Sequence, residues 1–146
     1  MFPAGQKLHG VAVCHSRDGH DAAARVRAAL ENKSISCWTP PEPVGSMSCA
    51  SPDIDAINAS WIVAFMLSMD ATADPQFVRA VSHAVGHCRW ILGVRLDHSP
   101  RPRTLEYYVG DLRLVDATAA PLDTAIALLV QDAEEILASV GRPPLP

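Results

Sequence analysis

Positive charge is never concentrated in this sequence. Its 12 Lys+Arg are scattered among 16 Asp+Glu, giving a net charge of -4 and a pI near 5.8. This excludes a domain whose main business is neutralising a phosphate backbone, so no direct nucleic-acid partner is expected. Long apolar runs are missing too. The longest, WIVAFMLSM, falls well short of the ~20 residues of a membrane span and suits a buried strand. The opening MFPAGQKLHG lacks the extended apolar core of a signal peptide, so a cytoplasmic protein without membrane contact is expected. Cysteines are few and unpaired: Cys14, Cys37, Cys49 and Cys88 stand singly, with no CxxC knuckle to suggest zinc or a disulfide framework. Apolar residues are plentiful. At 49% of 146 residues they can fill the core of one ordinary domain without metal or disulfide staples.

His83 and His87 have the HxxxH spacing of a zinc-protease helix. That chemistry needs a glutamate base at the second position, which is Ala84, and a third ligand that the neighbourhood does not supply. The pair is read as two surface histidines, and no metal is expected. Cys14 at a strand end has His15 and His20 nearby in sequence, but adjacency along the chain does not place a base within reach of a thiol.

Short apolar runs alternate with longer helical patterns. GVAVCHS (10–16), SISCW (34–38), WIVAFMLS (61–68), RWILGVRL (89–96) and DLRLVDA (111–117) read as strands. DGHDAAARVRAALENK (18–33), DIDAINAS (53–60), QFVRAVSHAVGH (76–87) and PLDTAIALLVQDAEEILASV (121–140) read as helices. Prolines and a glycine in TPPEPVGSMSCASP (39–52) make it a structured loop. The alternation predicts an α/β protein, a five-stranded parallel sheet with helices on both faces. In such a sheet of order 2-1-3-4-5, ligands sit beyond the carboxyl ends of the strands where the winding reverses, between the first and third. That point gathers His15, Ser16, Arg17 and Asp18, then Ser68 with Met69 and Asp70, and the loop from Thr39. Turn and cap chemistry alone would also account for Ser16, Asp18 and Ser68. A flavodoxin-like response receiver would need an acidic pair where Cys14-His15 stands, and is set aside.

In the 76–87 helix, Phe77, Val78, Val81, Ala84 and Val85 form one face, and Gln76, Arg79, Ser82, His83 and His87 the other. Ala80 is expected at the boundary, its side chain directed along the sheet edge into the crevice.

VAVCHSRD, ISCWTPPEPVG, INASWIVAFMLS, QFVRAVSHAV, WILGVRL and LEYYVGDLRLVDA resemble, in order and spacing, the pattern of Toll/interleukin-receptor (TIR) domains, particularly the bacterial kind. The resemblance covers residues 8 to 138. It assigns 1–140 to a TIR domain and leaves GRPPLP (141–146) as a Pro-rich tail, expected to start a linker to a fused sensor domain. It implies a flavodoxin-like fold, association with other TIR domains into a homo-oligomer or filament on activation, and antiviral defence signalling. In many members it also implies cleavage of NAD+, a substrate rather than a resident cofactor. The catalytic glutamate of such domains lies after an arginine on the third helix, where this chain reads Arg79-Ala80-Val81. A carboxylate there orients the ribose and offsets the oxocarbenium charge that grows as nicotinamide departs. Alanine does neither. Ala80 is either a natural loss or a laboratory replacement; a single change in a helix that otherwise matches the pattern points to the second. His15, Ser16, Arg17, Asp18, Trp38 and Ser68 match substrate-binding positions, and Pro41, Glu42, Gly45 and Met47 lie in the expected assembly loop. Glu42-Pro43 replaces the usual Arg-Asp pair there. The alternative is a non-catalytic TIR–TIR interaction module.

Overall fold

A computed structural model describes residues 9–39, 57–86, 90–98 and 113–140. Their elements in chain order are β1 (His9–Cys14), a 3-10 turn (Arg17–Gly19), α1 (His20–Asn32), β2 (Cys37–Trp38), β3 (Ser60–Leu67), α2 (Met69–Ala73), α3 (Pro75–Gly86), β4 (Trp90–Arg95), β5 (Arg113–Asp116) and α4 (Leu122–Val140). The strands form one sheet of order β2-β1-β3-β4-β5, parallel at every pairing. This is the flavodoxin-like arrangement expected from the alternation of patterns. The reversal of winding falls between β1 and β3.

The sheet separates two cores. Val11 and Val13 of β1, Ile62, Ala64 and Met66 of β3, and Leu92 and Val94 of β4 face α1 and α4. Helix α1 answers with Ala22, Val26 and Leu30, four residues apart, and α4 with Ile126, Leu129, Val130, Ala133, Ile136 and Leu137. On the other face, Cys14, Val63, Phe65 and Leu67 belong to one cluster with Phe77, Ala80, Val81 and Ala84 of α3. β3 supplies both cores, which is why SWIVAFML is apolar without alternation. Phe65 and Phe77 meet edge to face at 5.4 Å, a contact contributing about 0.5–1.5 kcal/mol beyond its area.

Four sequence expectations need correction. The strand expected over 34–38 contracts to Cys37–Trp38, because Lys33, Ser34 and Ile35 donate their amides to carbonyls of Leu30 and Glu31, with Ser34 left-handed at φ 60°. The helix expected from Asp18 begins at His20, behind the 3-10 turn. The short helix α2 was not foreseen. Ser68 caps it, its Oγ accepting from Ala71 N–H at 3.3 Å, and Pro75 explains its end, since the residue before a proline disfavours helical backbone. Proline then opens α3 at the position where its missing N–H does no harm. The helix expected over 53–60 is helical at Ile57 and Asn58 but stops there, because Ala59 is a turn and Ser60 already opens β3; residues 53–56 lie outside the described residues.

Candidate functional site

The carboxyl ends of β1 and β3 bring His15, Ser16, Asp18 and Ser68 to one place, and β4 adds Asp97 just beyond its own end. His15 follows β1 at 8% exposure and donates from Nδ1 to the Ser16 carbonyl at 2.8 Å. The same carbonyl accepts the Gly19 amide at 3.0 Å, closing the 3-10 turn that carries Arg17 and Asp18. His20 meets the His15 ring edge-on at 5.5 Å. Gly19 is fitted to this turn: an added Cβ would stand 3.3 Å from the Cβ atoms of both His15 and Met66.

Asp18 reaches across to β3. Its Oδ1 accepts the Ser68 hydroxyl at 2.5 Å and its Oδ2 the Asp70 amide at 3.1 Å. Asp97 accepts the Met69 amide at 3.0 Å. Sequence reading ended the fourth strand at Leu96 and so overlooked Asp97; an acid directly after a strand end was the available signal, while the helix start it meets lies 28 positions away. Trp38 is half-buried in β2, paired in register with Ala12, so β1 separates it from the β1–β3 crevice.

Ala80 corrects the boundary placement. It is 1% exposed and belongs to the buried apolar cluster of Cys14, Phe65 and Phe77. The geometric reason is its spacing: Phe77, Val81 and Ala84 are buried on the same helix at three, one and four residues from it, so position 80 lies inside the stripe. Arg79 is exposed.

The remaining candidates resolve as follows. His83 is half-buried and its Nε2 lies 2.8 Å from Asn58 Oδ1, a tether between α3 and the segment before β3; His87 lies outside the described residues. Among the described residues no group of three His, Cys, Asp or Glu could hold a metal ion. Cys14 is fully buried, and burial, with Glu31 adding to it and Arg27 opposing it, pushes the Cys37 thiol up to about 12. That describes a protonated thiol at neutral pH, not a nucleophile. Asp116, in the VDA stretch, is held below the usual carboxylate range by the Thr118 hydroxyl and then its amide, a turn that leads the chain out of β5. Pro41, Glu42, Gly45 and Met47 lie outside the described residues. No helix of the described residues is long and apolar enough to cross a membrane.

A doubly wound parallel sheet with a polar cluster at its switch point defines the flavodoxin-like class. The finer likeness comes from solved structures. The TIR domain of the Toll-related receptor TRR-2 from Hydra magnipapillata superposes with a TM-score of 0.66 at 15% identity, over 87% of this chain and 99% of that domain. The TIR domain heterodimer of RPS4 and RRS1 gives 0.62 at 12%, over 87% and 96%. A metazoan TIR-STING receptor from C. gigas gives 0.58 at 14%, over 99% of this chain but 44% of the receptor. The chain therefore has the fold of TIR domains. No protein-family model and no curated protein matches the sequence.

Proposed function

We propose that this chain is a TIR signalling domain of the bacterial, cytoplasmic, defence-type kind, built on the plan of NAD+ hydrolases but catalytically silent as written, and acting by association with other TIR domains. The observation that carries the reading is Ala80: on a TIR fold, the helix position matched to the catalytic glutamate holds a methyl group, 1% exposed within an apolar cluster. His15, Ser16 and Arg17 would line the nucleotide side of the crevice, with Trp38 across β1 from them. Without a carboxylate nothing orients the ribose or offsets the charge growing at its anomeric carbon, and losing one such group commonly costs about 100- to 1,000-fold in rate. The close packing of Ala80 also favours the alternative of a purely interacting module over a site emptied by a single replacement. The RPS4 and RRS1 TIR domains form a heterodimer, which supports association as a use of this fold.

The experiment measures nicotinamide release from NAD+ by the protein as written and by its Ala80→Glu variant, both at concentrations where the domains associate. The protein as written should release nicotinamide at no more than about a hundredth of the rate of a TIR hydrolase that carries the glutamate, and release at a comparable rate would overturn the proposal. Because position 80 is buried, an ionised carboxylate there costs on the order of several kcal/mol, and the melting temperature should fall. Release from a folded Ala80→Glu variant would identify the missing group. A folded variant that binds NAD+ and leaves it intact would favour the interaction module.

A further inference from the structure

The first three amides of α2 are each taken by a side chain: Met69 N–H by Asp97 Oδ2 at 3.0 Å, Asp70 N–H by Asp18 Oδ2 at 3.1 Å, and Ala71 N–H by Ser68 Oγ at 3.3 Å. The Ser68 hydroxyl donates onward to Asp18 Oδ1, so Asp18 uses both oxygens. The segments bearing these acceptors are themselves fixed. Leu96 N–H donates to the Leu67 carbonyl at 2.9 Å and Arg95 Nε to the Asp97 carbonyl at 3.1 Å, while Gly19 seats the Asp18 turn against His15, Met66 and Leu96. Three strand ends are thereby joined through one helical turn.

We infer that Asp18 is a positioning residue of the crevice and not a ligand contact: it holds Ser68 and α2 in place. With Asp97 it also occupies the amide end of α2, where a nucleotide phosphate would otherwise find donors. This rests on reading the crevice as a nucleotide site. Two carboxylates at that helix end satisfy the amides and repel a further anion, so a pyrophosphate is directed to the 15–17 side. Loss of Asp18 therefore acts on a ligand only through Ser68 and α2.

The test combines amide hydrogen exchange with NAD+ titration, both followed by NMR, on the protein as written and on Asp18→Ala, Asp18→Asn, Ser68→Ala and the Asp18→Ala/Ser68→Ala pair. Asp18→Ala should speed exchange at Asp70 and Ala71 by roughly tenfold, the scale of one net hydrogen bond, and weaken NAD+ binding by a similar factor. The double variant should lose little more NAD+ affinity than Asp18→Ala alone, because both residues act on the ligand through the seat of α2, while Ala71, deprived of its Ser68 cap, exchanges faster still. Asp18→Asn, which keeps an acceptor for the Asp70 amide, should restore exchange and bring affinity back to within about threefold. Weakened binding with Asp70 and Ala71 still protected, or losses that multiply in the double variant, would show that Asp18 touches the ligand and overturn the inference. If the protein as written shows no NAD+-dependent shifts, the nucleotide reading fails, and exchange alone decides the clamp: faster exchange at Asp70 and Ala71 in Asp18→Ala sustains it, and unchanged protection sinks it.

Discussion

At the scale of single residues, the same chemical type plays different parts according to what surrounds it. Asp18, Asp97 and Asp116 are all carboxylates at strand ends, yet the first two hold a neighbouring helix and the third turns its own chain. Cys14 and Cys37 are both free thiols. Cys37 lies against α1, near Arg27 and Glu31, and burial raises its value from 9.0 to about 12. The folded chain therefore holds this proton more tightly than the unfolded one. Its contribution to stability is complete below about pH 9 and is lost as pH rises toward 12. Urea midpoints should accordingly fall more steeply between about pH 8 and pH 10.5 in the wild type than in Cys37→Ala. Equal slopes in the two proteins would contradict the raised value.

At the scale of elements, two glycines govern how helices approach the sheet. At Gly10 a Cβ would stand 3.0 Å from Ile35 Cγ2, 3.2 Å from the Ser36 carbonyl and 3.3 Å from Leu137 Cδ1, and that carbonyl accepts the Gly10 and Val11 amides. Backbone cannot yield as a side-chain tip can, so Gly10→Ala should destabilise by about 1–3 kcal/mol. At Gly19, which caps α1 without a side-chain bond, the nearest atoms are side-chain carbons at 3.3 Å. Gly19→Ala should be milder, about 1 kcal/mol, since those atoms, although Cβ atoms carried by their backbone, stand 3.3 Å away against 3.0 and 3.2 Å at Gly10 and need give by only tenths of an ångström. Chemical denaturation ranks the two, and a larger loss at Gly19 would reverse the argument. The exposed Arg25–Asp123 pair at 3.5 Å between α1 and α4 adds at most about 1 kcal/mol, so apolar packing holds these helices together.

At the scale of the whole molecule, one sheet carries two separate jobs on its two faces and a third at its carboxyl edge. Among the described residues the α1–α4 core holds more side chains than the α3 core, to which Ala80 belongs. If the chain associates as proposed, the proline-rich sequence 40–52 is proposed as part of the contact, since prolines lower the entropy a segment loses on docking. Replacing residues 42–47 by Gly-Ser should therefore weaken self-association, read as a shift from larger species to monomer in sedimentation at fixed concentration. Unchanged assembly would remove the loop from the interface.

The alternation of apolar runs and amphipathic helices determined the parallel sheet and its class, because periodicity reports burial on one face or two and needs no partner to be known. Residues 61–68 and 121–140 were legible to within a residue for that reason. The switch point of a 2-1-3-4-5 sheet located the strand-end group of His15, Ser16, Asp18 and Ser68. What those side chains do was decided only in the tertiary structure. Asp18 and Ser68 are 50 positions apart and Met69 and Asp97 28, and no local pattern records which acceptor a helix amide finds across a sheet. The same holds for Ala80: helical periodicity put it at the margin of the apolar face, whereas Cys14 of β1 and Phe65 of β3, in one buried cluster with Phe77, Val81 and Ala84 of α3, place it inside the stripe, because burial depends on the width of the surface a helix meets as well as on its own sequence.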